Sequence, residues 1–335
     1  MTKKRAKAEA YKLKVKAAHK RVCDAIIEKI KKGERVWSPS WEGAPSILGL
    51  PIRASTGSKK TPYRGINVWW LMSVKESEGY ESDEWGTVNH WMKESNKHAI
   101  KNGEFEVVEK KDGTTFKKAT KYYGIKGEWS GDSHPVVFME RKTYKDTKTN
   151  ADGEEEEISG AYFMRRAFWV YNRDQTKLPK VKPEKQKERA VLNAEKRIDL
   201  IIKSNGVTYK EGGNRAFFNY SRDFIQTPER QYFKSLEGRC ATLLHELTHW
   251  TGHPERLDRK IANQFGSEDY AHEELVAEMG AAMMCSAIGI EDSMIEEQLE
   301  DHAAYLRNWL GAIKMQKDGG QRFVFQAASR AQRAC

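Results

Sequence analysis

The run His245-Glu246-Leu247-Thr248-His249 constrains this chain more than any other feature, because its chemistry works only on a helix. Histidines four residues apart share one helical face, so both rings reach a single cation only if the segment is helical. The residues ahead of it, Cys240 to Leu244, are mostly apolar and point to a buried helix, and Gly252 and Pro254 mark its end. Glu246 stands beside the first ring, within reach of a water on such a cation. The H-E-x-x-H spacing is that of zinc hydrolases, in which the glutamate is the general base. A helix over 235–251 is therefore expected, with His245 and His249 holding one zinc ion per chain and Glu246 as the catalytic base. A surface helix that carries two histidines by chance is the bland alternative.

A catalytic zinc takes three protein ligands and keeps one position open. Glu274 opens Glu274-Leu275-Val276-Ala277-Glu278 on an apolar helix expected over 273–288. Thermolysin-like enzymes draw their third ligand from such a helix, and an acid in so apolar a run needs a partner. Glu278, one turn on, would support a ligand histidine from behind. Glu255 is a rival at metzincin-like spacing, with acid in place of the last histidine. His253 is another, although Gly252 and Pro254 break the helix around it, and Glu273 adjoins Glu274. Tyr270, His272 and His302 are candidate oxyanion donors. The strand expected over 215–220 would offer an edge to an extended peptide.

At 335 residues, two domains are expected. Lys and Arg number 58 against 48 Asp and Glu, a net charge of +10. The excess is uneven: residues 1–35 hold thirteen basic and four acidic side chains, whereas 236–301 hold four and fifteen. A basic front and an acidic body argue for a nucleic-acid-facing region joined to a separate catalytic one. The four cysteines form no C-x-x-C pair, which fits reduced thiols in a cytoplasmic protein. No secretion signal or membrane-spanning run is visible.

Residues 1–20 read as a frayed helix or basic arm, and Val22, Ile26, Ile27 and Ile30 then recur at helical spacing. A turn at 63–67 enters an apolar helix, and 85–92 reads as a second short helix. Residues 101–160 are lysine-rich and polar, with a strand near 136–141 and an acidic hairpin tip or disordered insertion at 154–157. The aromatic, β-prone segment 161–172 closes the first domain's sheet. The second domain is read as a helix at 194–204, strands at 207–209 and 215–220, a loop to Thr227, and helices at 235–251, 273–288 and 302–315. Arg53, Lys59, Lys60, Tyr63, Arg64 and Trp69 combine cations with aromatic faces, as single-strand binders do. Neighbouring helical positions point about 100° apart, so at least one of Trp69 and Trp70 belongs in the core. No zinc finger or recognition helix is evident, and little sequence specificity is expected.

Together these residues resemble a known family. The run from Thr242 to Pro254 with Arg256-Leu257, the segment from Arg215 to Tyr220 with Asp223 and Ile225, and Phe265-Gly266-Ser267-Glu268 are similar to the metallopeptidase domain of ArdC-type antirestriction proteins. Thr56-Gly57 and Pro62-Tyr63-Arg64-Gly65-Ile66-Asn67 resemble that family's N-terminal single-stranded-DNA-binding domain. The insertion at 101–160 and the Trp69-Trp70 pair depart from the pattern. The resemblance implies an α+β chain. A basic arm (1–20) would precede a mixed α/β DNA-binding domain (21–176), a linker (177–191), and a zincin-like, mainly helical metallopeptidase domain with a small sheet (192–335). It implies a cytoplasmic protein of a plasmid or phage that shields single-stranded DNA from host restriction, with a host protein or peptide as substrate and no membrane partner. Two alternatives remain: a DNA-tethered protease acting on DNA-bound or crosslinked proteins, and a DNA-coating protein in which zinc only braces the fold.

Overall fold

The periodicity at Val22, Ile26, Ile27 and Ile30 belongs to a longer helix in the computed structural model, which describes residues 3–32, 50–54, 61–126, 133–149, 155–180, 187–261, 266–288, 290 and 308–335. Helix α1 (Lys3–Lys31) buries Val15, Ala18, Val22, Ile26 and Ile30 on one face, while residues 5–14 are exposed. Burying each of these Val and Ile side chains is worth roughly 1.5–3 kcal/mol. Its basic first half is docked: the Tyr11 hydroxyl donates to the Ala167 carbonyl (3.3 Å) and the Lys14 ammonium lies 4.1 Å from the Trp169 ring centroid. The segment read as a frayed helix or basic arm is thus helical from Lys3, with Tyr11 and Lys14 set against Ala167 and Trp169.

Short strands β1 (Ile52–Arg53), β2 (Thr61–Pro62) and β3 (Glu84–Gly86) join β6 (His134–Thr149) and β7 (Glu155–Asn172) in a sheet ordered β2-β1-β3-β7-β6. Only β1 and β3 run parallel. Helix α2 (Ile66–Ser77) and helix α3 (Val88–Lys101) complete this half, and β4 (Phe105–Glu109) pairs with β5 (Thr115–Ala119) in a separate hairpin. The helix expected over 85–92 begins three residues late. Trp85 pairs in register with Arg53 and Asn172, and Thr87 caps α3 by accepting the His90 amide. The lysine-rich expansion is ordered as strand across much of its length, since β6 and β7 pair continuously from His134↔Val170 to Thr149↔Glu155.

Helix α4 (Lys187–Ser204) starts inside the expected linker. Strands β8 (Thr208–Glu211), β9 (Phe217–Asn219) and β10 (Phe224–Thr227) form a small sheet ordered β8-β10-β9. Its central strand, β10, falls where a loop was expected. It is four residues long, nearly all buried, and follows Asp223 at φ 47°, so no alternation betrays it. Helices α5 (Leu236–Trp250) and α6 (Glu268–Ile288), a helical stretch at 308–315 (α7) and α8 (Gln321–Ala334) complete the chain.

Helix α6 is buried without a break from Ala271 to Ala281, the pattern of a helix covered on every side. Leu275, Val276, Met279 and Met283 join a core with α1, α2, β6, β7 and α8, whereas Ala281 and Cys285 join a second core with α4, α5 and β10. The two halves therefore share a core. Among the described residues no helix is long and apolar enough to cross a membrane.

Candidate metal centre

Helix α5 starts at Ser235, whose hydroxyl accepts the Gly238 amide at 3.0 Å, and runs through the motif to Trp250. His245 and His249 emerge one turn apart, with their Nε2 atoms 3.1 Å from each other. The Glu274 carboxylate from α6 faces both, its Oε2 3.5 Å from His245 Nε2 and 3.7 Å from His249 Nε2. One ligand atom from each of the three residues lies within 4.8 Å of the others, an arrangement fit for a metal ion. That Glu274 oxygen is buried and has no hydrogen-bond partner. A buried, unsatisfied carboxylate oxygen is costly unless a cation meets it. Two imidazole nitrogens and one carboxylate oxygen are also the donor set of a hydrolytic zinc site.

The other ring nitrogens face acids. His245 Nδ1 lies 3.8 Å from Glu278 Oε1, and His249 Nδ1 lies 3.2 Å from Glu273 Oε1. Each imidazole thus has its Nε2 turned towards Glu274 and its Nδ1 towards a supporting carboxylate, which fixes tautomer and ring orientation. Glu273 is occupied on its far side by Arg259, which also donates to the Thr248 carbonyl (2.6 Å) and the Thr251 hydroxyl (2.9 Å). Glu273 therefore buttresses His249. Arg259 was missed at the sequence level; it is one of several charged residues in the turn past the helix end, and nothing there predicts burial.

Surrounding acids set the electrostatics. Burial alone would lower the His249 pKa, but Glu274 and Glu273 outweigh it and raise it well above the ordinary histidine value. Burial likewise opposes ionisation of Glu274, yet both imidazoles hold its carboxyl far below the usual range. Glu246 is shifted the other way: burial dominates and raises its pKa, opposed by the His245 and His249 imidazoles and, least, by the backbone hydrogen bond with Phe218 on β9.

These groups line a cleft of about 250 Å³ with Ala216, Phe217, Tyr220 and Tyr270. Strand β9 is the edge of its sheet and forms one wall. Of the three oxyanion candidates, Tyr270 lines the cleft. His272 is turned away, edge-on to Phe323 with Nδ1 3.2 Å from Arg330 Nη1, and His302 lies outside the described residues. His253 and Glu255 do not join His245. They group with Asp223, whose carboxylate is already ion-paired to Arg256.

The nucleic-acid candidates separate by exposure. Arg53 and Arg64 are exposed, and the Arg53 guanidinium lies 5.6 Å from the Tyr63 ring centroid. Tyr63 is buried, with its hydroxyl donating to the Trp85 carbonyl, and Trp69 is fully buried. The expectation that Trp69 stacks on a base is corrected: α2 is covered on all sides, so both Trp69 and Trp70 are spent on the core. Tyr63 has almost no ring face left for a base. Lys59 and Lys60 lie outside the described residues.

Residues 16–171 match the model of the N-terminal domain of anti-restriction factor ArdC, and residues 196–330 match a zincin-like metallopeptidase. The chain is similar to a DNA primase TraC of Escherichia coli, 32% identical over 327 residues, covering 95% of this chain but 26% of that protein. It thus spans about a quarter of the length of that relative. An uncharacterized protein y4eC of Sinorhizobium fredii is 29% identical, with 94% of this chain and 89% of that protein covered. Among solved structures, the antirestriction ArdC protein of plasmid R388 is similar in its metal-free form, with 28% identity and a TM-score of 0.59. Its Mn(II)-bound form gives 27% and 0.61, and both cover 94% of each chain.

Proposed function

The chain belongs to the ArdC-type family, an anti-restriction N-terminal domain joined to a zincin-like metallopeptidase domain, and from that premise we propose a cytoplasmic protein of a plasmid or phage that binds single-stranded DNA with little sequence specificity, protects it from restriction, and cleaves peptide bonds at a zinc centre. The observation that carries the catalytic reading is the buried Glu274 oxygen, without a hydrogen bond and aimed between two imidazole Nε2 atoms. His245, His249 and Glu274 would hold the ion, which when bound supplies Lewis acidity and lowers the pKa of water towards about 7. Glu246 does the proton work: burial raises its basicity, suiting it to take a proton from the attacking water and return it to the leaving amine. Strand β9 is the outer strand of its sheet along the cleft, where an extended peptide of a host protein would add as another strand.

The DNA reading rests on the basic front of the chain, with Arg53, Arg64, Lys59 and Lys60 as its phosphate contacts. Two measurements test the proposal. Metal analysis after zinc loading should find one ion per chain, and its absence would sink the peptidase half. Filter binding at moderate salt should retain single-stranded oligonucleotides over duplexes; equal retention would sink the single-strand half.

A further inference from the structure

A groove of about 560 Å³ lies where the turn before α2, the base of the β6–β7 hairpin and helix α8 meet. Its lining holds three arginines, Arg53, Arg64 and Arg333, and no carboxylate. All three are exposed, and none has an acidic partner among the described residues. Glu140, on the same face of the hairpin, is already neutralised by Lys142 and Arg166. The same lining holds Phe138, 41% exposed, and Phe168, packed edge-to-face with centroids 5.7 Å apart.

The three walls are locked together. The Asn67 side chain donates to the Val137 carbonyl (2.7 Å) and accepts the Val137 amide (2.8 Å), fixing the turn to the hairpin. The Gln332 side chain accepts the Gly65 amide (3.3 Å), fixing α8 to that turn. Gly65 sits at φ +57°, a conformation that disfavours any residue with a Cβ. The groove is therefore preformed, and binding there costs little ordering.

We propose that this groove, with the C-terminal helix α8 as one wall, seats a short stretch of single-stranded DNA. Arg53, Arg64 and Arg333 contact phosphates, and a base packs against Phe138. The inference rests on the single-strand reading above and names where that strand lies. Charge complementarity selects the occupant, because three arginines and no carboxylate line this groove. An exposed aromatic face among arginines serves an unpaired base, because a duplex keeps its bases stacked on each other. Since α8 also packs on α6 through the shared core, the DNA seat and the helix bearing Glu274 form one body.

The test is anisotropy titration of fluorescein-labelled oligothymidylate with the full chain and with Arg333→Gln, Arg64→Glu, Phe138→Ala and Lys111→Glu, the last on the remote β4–β5 turn. Each arginine variant should bind about tenfold more weakly, with the slope of log affinity against log salt reduced by about 1. Phe138→Ala should weaken binding by roughly 5- to 100-fold with the slope unchanged. Lys111→Glu should stay within about twofold of the parent, because Lys111 is no part of the groove lining. If the parent binds and all four variants behave alike, the groove is wrong while single-strand binding stands. If the parent does not bind, both readings fall. Competition by duplex DNA at equal affinity, lost in the same variants, would overturn the base-stacking seat. Arg333 and Phe138 lie on different elements, so a thermal melt identifies a misfolded variant and leaves the other to decide.

Discussion

Glu273 and Arg259 form a buried two-point ion pair behind His249, with Nε 2.9 Å from Oε2 and Nη2 2.8 Å from Oε1. The pair joins the turn after α5 to the start of α6, the two segments that must stay in register for His249 and Glu274 to face each other.

Arg259→Met should therefore loosen the centre without touching a ligand. Removing one partner of a buried pair typically costs about 3–5 kcal/mol, and loss of a supporting contact behind a ligand costs about 10–100-fold in metal affinity. Competition against a chromogenic zinc chelator reads the second effect. Unchanged affinity in a folded variant would show that Glu273 orients His249 unaided.

Gly280 on α6 faces Thr248 on α5 so closely that an added Cβ would lie 2.7 Å from the threonine side chain. Gly280→Ala should force the helices apart, costing about 1–3 kcal/mol as overpacking does, and should weaken zinc retention. A urea melt with and without zinc measures both; a variant as stable as the parent would mean that Thr248 simply rotates away.

Glu246→Gln keeps the shape of the cleft and removes the base. Peptide cleavage should fall by about 10²–10⁴-fold, while zinc uptake and oligonucleotide binding persist. Protection of transferred DNA should also persist if coating is the protective act. Loss of protection in this variant would make proteolysis the mechanism.

Removing the metal should lower the melting temperature, because an ion held by His245, His249 and Glu274 would bridge α5 to α6 in the folded chain alone. At a free zinc level a thousand times Kd the stabilisation would be about 4 kcal/mol. Differential scanning fluorimetry with a chelator and then excess zinc checks it, and an unmoved transition would argue against the ion.

His19 on α1 is buried against Phe325, with Nε2 3.2 Å from the Arg166 carbonyl, and burial lowers its pKa below 6.5. The unfolded chain then takes up the proton at higher pH than the folded one. Stability should fall as the pH drops from 6.5 towards the lowered folded value. His90, also depressed by burial, acts in the same direction. Urea midpoints above and below pH 6.5 should converge in His19→Gln relative to the parent; an equal acid loss in both would remove His19 as a cause.

The helix bearing His245 and His249 was readable from sequence alone because its signals are local: a four-residue repeat, an apolar approach and a Gly/Pro stop all act within one segment. The α6 acids were readable for a related reason, since carboxylates in so apolar a run demand partners wherever they fold. Sequence could not say which acid meets which nitrogen. That depends on how α6 crosses α5, set by Gly280 against Thr248 and by Arg259 reaching across from a turn. Trp69 and Tyr63 show the same limit from the other side, because an aromatic beside a cation looks alike whether a base or the protein core covers it. Only the packing of α1, α6, α8 and the long hairpin around α2 settled that, since burial is a property of neighbours brought from distant parts of the chain.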